Sequence, residues 1–131
     1  MAWTNVGTVL VTMTSRNLVP FPTVNLKRNK GFMFYLVANP ITTVAEYGYL
    51  LIIPSMVWNG LSGERPKLVN WFPKGQRFLF KVTTPEKMGD PIPTTINLFP
   101  VQIFTGRVVP KQISATLFYD PGEEEPPGIL V

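Results

Sequence analysis

Lys27-Arg28-Asn29-Lys30 sets three cations within four residues, followed by Gly31. Asn and Gly are the residue types that accept positive φ in a tight turn. Flanked by Thr23–Lys27 and Phe32–Ala38, the segment has the pattern of a β-hairpin tip. A protruding tip carries no packing constraint on its charges and could grip phosphates, so Lys27, Arg28 and Lys30 are the candidate nucleic-acid contacts. The same turn could equally be solvated and keep a sheet edge from pairing further. A second stretch interleaves rings and cations, from Trp71 and Phe72 through Lys74, Arg77, Phe78 and Phe80 to Lys81. Single-stranded nucleic acid needs flat rings beside cations. On a strand, however, Phe78 and Phe80 share one face while Arg77 and Lys81 share the other, which is the pattern of a core strand with a wet outer side.

Catalytic options are thin. Zero His removes the usual general base and the commonest transition-metal ligand, and zero Cys removes disulfides, thiolate nucleophiles and Cys-ligated metal. Glu86 and Asp90 share a Pro-rich loop and could form an acid pair or an oxygen-ligand metal site, with Lys87 between them. A solvated loop pair is the simpler account. Ser62, in Gly60-Leu61-Ser62-Gly63, has no His to activate it, and phosphate-binding Gly-rich loops are missing. No enzyme activity, cofactor or metal is expected.

The charges are few and sorted by position. Only 15% of residues are charged against 45% hydrophobic, where average domains carry roughly a quarter charged. All 12 Lys and Arg lie in residues 1–119 beside Glu46, Glu64, Glu86 and Asp90, a net of +8. The last twelve residues hold Asp120, Glu123, Glu124 and Glu125 and no base. A charge-poor surface is either kept soluble by Thr, Ser, Asn and Gln or covered by a partner, and a homo-oligomer or another protein partner is expected here. Residues 120–131 form an acidic, Pro-rich tail that ends in the β-formers Ile129, Leu130 and Val131. These three are the candidate assembly contacts, since an extended apolar end can add to a neighbour's sheet edge; a self-solvating tail is the alternative.

The elements that must hold these groups are strands. Apolar residues recur with period two between Pro, Gly and Asn breaks, and hardly any window shows a helical period. Val9, Val11 and Met13 alternate with Thr8, Leu10 and Thr12; Ile113, Ala115, Leu117 and Tyr119 share one face of the last strand. Asn39-Pro40 is expected to break the chain, Pro54 to end the doubly apolar run Glu46–Ile53 before a short strand at Met56–Trp58, and Pro100 to mark an edge or bulge in Thr94–Phe104. Leu68–Phe72 and Arg77–Thr84 are expected to pair as a hairpin across Pro73–Gln76. Eight or nine short antiparallel strands imply one all-β domain over 1–119, a β-sandwich or closed barrel. The start of the chain lacks the basic and apolar regions of a secretion signal, and Tyr47–Ile53 is far short of a membrane helix. A chain made in a cytoplasm and not exported by a cleaved signal is expected, with no membrane span.

The Thr/Val/Pro-rich strands ending in Gln112-Ile113-Ser114-Ala115-Thr116-Leu117-Phe118-Tyr119-Asp120-Pro121 are similar to the last strands of viral jelly-roll coat and spike domains. In length and composition the chain also resembles the small, Cys-poor all-β orphan proteins of archaeal viruses, such as one from a Pyrobaculum spherical virus. The Arg/Lys-rich N-terminal arm of coat proteins is missing. The resemblance therefore implies a jelly-roll-like fold and a structural or interaction role, and it carries over no site residues.

Overall fold

The computed structural model describes residues 3–44, 47–56, 67–70, 77–86, 89–103 and 109–122. Nine strand segments run in chain order: β1 Thr4–Thr12, β2 Val19–Pro20, β3 Val24–Leu26, β4 Gly31–Val44, β5 Tyr47–Met56, β6 Lys67–Asn70, β7 Arg77–Thr83, β8 Ile92–Ile103 and β9 Val109–Tyr119. They form two antiparallel sheets, one ordered β1-β9-β4-β7 and the other β2-β8-β5-β6, with β3 also on β8. β2 and β3 meet successive stretches of β8, so they act as one interrupted edge strand. The pairing is that of a long hairpin rolled up on itself. The first strand pairs with the last, the second line with the next to last, β4 with β7 and β5 with β6. That order is a jelly roll, as expected of an all-β sandwich built from Greek keys.

Each strand buries alternate residues between the sheets, because a pleated strand turns successive side chains to opposite faces. Val11, Met13, Phe32, Phe34, Leu36, Ala38, Phe80, Val82, Ile113, Ala115 and Leu117 from the first sheet meet Leu50, Ile52, Met56, Ile92, Ile96 and Leu98 from the second. Phe34 is the ring hub, stacked on Phe80 at 5.5 Å and Tyr119 at 5.6 Å. At the bulge between Asn5 and Gly7, Gly7 has φ +157° and Pro22 lies 3.1 Å from where a Cβ would stand. Any larger residue there would press the two sheets' edges apart.

Neither expected hairpin exists. β3 pairs with β8 in one sheet while β4 lies in the other, so residues 27–30 cross between sheets. Likewise β6 pairs with β5 and β7 with β4. In both cases strands adjacent in sequence lie in opposite sheets, and residues 27–30 serve as an arch between β3 and β4. Gly31 is the first residue of β4, and among the described glycines only Gly7 has positive φ, whereas Asn29 adopts φ 55° as its type permits.

Nor do the prolines break strands. β4 runs through Pro40, β5 through Pro54 and β8 through Pro93 and Pro100, while β9 holds Pro110. Among the described residues, each of these five positions has a partner strand on one side only. β7 reaches β4 no further than Val37, β6 covers β5 only over Tyr49–Ile52, β2 stops at Leu98 of β8, β5 begins on β8 at Thr94, and β1 ends at Gln112 of β9. A proline's missing N–H costs no ladder bond where no neighbour waits for it. The edge expected at Pro100 is thus a local one, in a strand that is otherwise central. Among the described residues no helix is long and apolar enough to cross a membrane.

Candidate functional site: an outward aromatic row

The basic turn is more constrained than a free tip. The Arg28 amide donates to Asp90 Oδ1 at 3.3 Å, the Asn29 amide to the Pro85 carbonyl at 3.0 Å and the Lys30 amide to Thr84 Oγ1 at 3.0 Å. Thr84 is fully buried; its hydroxyl donates to the Lys27 carbonyl at 2.6 Å and its amide to the Lys30 carbonyl at 2.9 Å. The turn is therefore riveted to the loop after β7. Lys27, Arg28, Asn29 and Lys30 line an open cleft of about 680 Å³ together with Glu86 and Asp90. The structure brings the three candidate cations together, but it adds two carboxylates to the same cleft. It also commits the amides of residues 28–30 to protein acceptors. A phosphate would meet mixed charge there and no vacant backbone donors from those residues. Glu86 and Asp90 do share one cleft, yet no group of three metal-ligating side chains occurs among the described residues.

A second region draws together groups that sequence reasoning left scattered. On the outer face of the β1-β9-β4-β7 sheet, the register aligns Asn5, Phe118, Tyr35 and Leu79 in one row across all four strands. Tyr35 stacks on Phe118 with centroids 4.6 Å apart and 20° between planes, and Trp3 meets Tyr35 edge-on at 4.7 Å. The Arg77 guanidinium carbon lies 4.7 Å over the Tyr35 ring. Since β9 and β7 flank β4 on opposite sides, Tyr35 is clamped between Phe118 and Arg77, and only 7% of it is exposed although it points away from the core. Leu79 stands beside it 55% exposed, and Leu10, further along the same face, is 53% exposed. The rest of the face is Met33, Val37, Asn39, Gln112, Ser114 and threonines, two of which, Thr8 and Thr116, bond to each other at 2.9 Å. Its only charges among the described strand residues are Arg77 and Lys81, both on β7.

The chemistry this row offers is specific. Sandwich strands ordinarily turn polar residues outward, whereas this sheet turns out Tyr35, Phe118 and Leu79 in one row, with Trp3 packed against Tyr35. Tyr35's two ring faces are already taken, so it has none to give to a nucleobase or a sugar. What is presented is hydrocarbon edge and an exposed leucine, flanked by two cations, and such a patch suits packing against another protein surface. Phe78 and Phe80, by contrast, face the core as expected, stacked at 6.2 Å, with Arg77 outward. The sequence hid the row because Phe32–Ala38 is apolar at every position. Such a run separates core from surface only once its neighbours are known.

Other expected sites lie elsewhere. Trp71–Gln76, the Ser62 loop and the tail residues Ile129, Leu130 and Val131 fall outside the described residues. The chain leaves β9 with the Asp120 amide bonded to the Met33 carbonyl at 2.9 Å, and Asp120 Oδ1 then accepts from the Gly122 amide at 2.9 Å. Pro121 lines a small cavity with Lys27, Phe32 and Tyr119, so residues 120–122 leave the sandwich beside the basic turn.

No family model matches the chain, and no curated protein matches it either. Among solved structures it is similar to one described as "CBM4 structure and function", with a TM-score of 0.52 and 16% identity over 90% of this chain and 70% of that one. A structure of infectious bursal disease virus, Gx strain, aligns at a TM-score of 0.45 and 10% identity over 95% of this chain. The chain spans only 33% of that viral chain. The CBM4 likeness is one of fold, and it agrees with the strand order: this chain is a β-sandwich with jelly-roll topology.

Proposed function

We propose that this protein is a non-enzymatic association module, a jelly roll that works by binding protein, first of all further copies of itself. The observation that carries this is the outward row of Trp3, Tyr35, Phe118 and Leu79 on a sheet face without a carboxylate among its described residues. Apolar surface such as the exposed Leu79 and Leu10 on this face favours a partner, because leaving it wet forfeits roughly 25 cal/mol per Å². The absence of His and Cys from the whole sequence narrows the chemistry available to an enzyme and supports the same view.

The setting we propose is viral, in a virion or the cytoplasm of an infected cell. What supports it is the resemblance of the last strand to viral jelly-roll domains and of the chain's size and composition to archaeal-virus proteins. Light scattering after size exclusion tests the association. A species of at least twice the chain mass, lost on Leu79→Glu, is expected. A wild-type chain that stays monomeric at high concentration overturns it.

A further inference from the structure

The sheet that carries the row ends on β1, at the side opposite β7 in the strand order, and among the described residues β1 pairs with β9 alone. We propose that Thr8–Thr12 of β1 is a homodimer edge, which pairs antiparallel with the same stretch of a second copy about a two-fold axis through Leu10. The contact goes beyond the row and uses none of Trp3, Tyr35, Phe118 or Leu79.

Backbone parity shows which peptide groups stand at this edge. In an antiparallel ladder successive residues bond alternately to one side and to the other. The Met13 amide bonds to the Lys111 carbonyl at 2.7 Å, on the β9 side. Counting back in twos, Val11 and Val9 bond to β9, while Thr12, Leu10 and Thr8 turn N–H and C=O away from it. The 2.9 Å hydroxyl contact of Thr8 with Thr116 agrees, because opposed residues that exchange no backbone bonds stand closer together. The devices that ordinarily guard an edge are missing here. Thr8–Thr12 holds no charge and no proline, and the bulge with its Gly7–Pro22 contact lies before it.

The sequence selects the occupant. Thr8-Val9-Leu10-Val11-Thr12 reads the same in both directions. Run antiparallel against itself, it sets Thr8 opposite the partner's Thr12, Val9 opposite the partner's Val11 and Leu10 opposite the partner's Leu10. Like then meets like on both faces, in β-forming residue types, and no charge opposes another. Leu10, 53% exposed, gains an apolar neighbour. Its amide and carbonyl exchange bonds with those of the partner's Leu10, and each Thr12 amide meets the partner's Thr8 carbonyl. The Thr12 carbonyl already accepts from the Ser15 amide at 3.0 Å, so the turn there ends the ladder. A two-fold pair uses each edge once, and the assembly closes.

Because the chain has no cysteine, a single introduced one reports the register. Residues that exchange bonds across an antiparallel pair have Cα atoms ~5.5 Å apart, within reach of a disulfide. Leu10→Cys is therefore expected to form a covalent dimer on mild oxidation. Thr8→Cys alone is not, since its counterpart stands four residues along at ~3.3 Å each, whereas Thr8→Cys mixed with Thr12→Cys is. Leu79→Glu, which removes association through the row, is expected to leave this pair visible by light scattering. Adding Leu10→Lys or Leu10→Pro to it should weaken the pair at least tenfold, with the thermal midpoint within a few degrees, because the Leu10 amide serves no strand of its own chain. A monomeric Leu79→Glu chain, with Leu10→Cys cross-linking no faster than Thr8→Cys, overturns the edge pair and leaves association through the row standing. A wild-type dimer indifferent to Leu79→Glu and lost on Leu10→Lys supports the edge pair and overturns the row.

Discussion

Two regions of this molecule invite a partner, and they differ in how much of their chemistry is already used. The basic turn at residues 27–30 has the charge that draws attention in a sequence. Yet the amides of residues 28–30 are bonded, a buried threonine pins two of its carbonyls, and two carboxylates share its cleft. The outward row at Trp3, Tyr35, Phe118 and Leu79 has one cation over a ring and no acid. Its rings satisfy one another and leave their apolar rim to solvent. Hydrogen bonds at the turn tie it to the segments after β7 and before β8, while the row has apolar surface to spare.

The largest effect separating the two should come from Tyr35→Ala. It removes a side chain in contact with Trp3, Phe118 and Arg77, and truncating a well-packed aromatic costs about 3–5 kcal/mol. A fall of about 10 °C or more in the calorimetric midpoint is expected, together with lost self-association. A midpoint within two or three degrees of wild type would mean that the row is not packed as described. Next, Thr84→Val keeps the shape but strands the Lys27 carbonyl and the Lys30 amide. A loss of about 1–3 kcal/mol is expected in denaturant titration, with self-association unchanged. Association that weakens along with it would show the two regions to be coupled.

Leu79→Glu should do the reverse. An exposed leucine on an edge strand changes stability by about 0.5 kcal/mol or less, so unfolding should be near wild type while light scattering reports a smaller species. The smallest effect is expected from replacing Lys27, Arg28 and Lys30 together by Gln. Stability should move by about 0.5 kcal/mol or less, and any retention of the protein on oligonucleotides at low salt should fall little, because the turn's cations already share a cleft with Glu86 and Asp90. A large fall with a steep salt dependence would instead restore the turn as a phosphate grip.

What the sequence makes legible is which side of a strand is wet. Val11 and Met13 are buried and Leu10 is exposed as the alternation predicts, and Ile113, Ala115 and Leu117 are fully buried. The same holds for Phe78 and Phe80 against Arg77. These are local consequences of the pleat, readable within a few residues. Partner strands are not local. β1 finds β9 across more than a hundred residues, as the pairing of Thr8 with Thr116 shows. Turn chemistry at Arg28–Gly31 or Pro73–Gln76 predicts a bend but not whether the bend returns to its own sheet. The outer row was illegible for the same reason: Tyr35 and Phe118 are neighbours only in the rolled-up register.

The five strand prolines have a consequence beyond tolerance. Pro40, Pro54, Pro93, Pro100 and Pro110 each occupy an overhang, a length of strand that projects past one of its neighbours among the described residues. An overhang is where a stray chain in a crowded solution would find unpaired peptide groups and begin to grow a fibre. A pyrrolidine ring there gives the stray chain nothing to bond at that point, and its fixed φ spoils the flat approach a growing fibre needs. The molecule thus discourages sheet growth at the frayed ends that its prolines occupy.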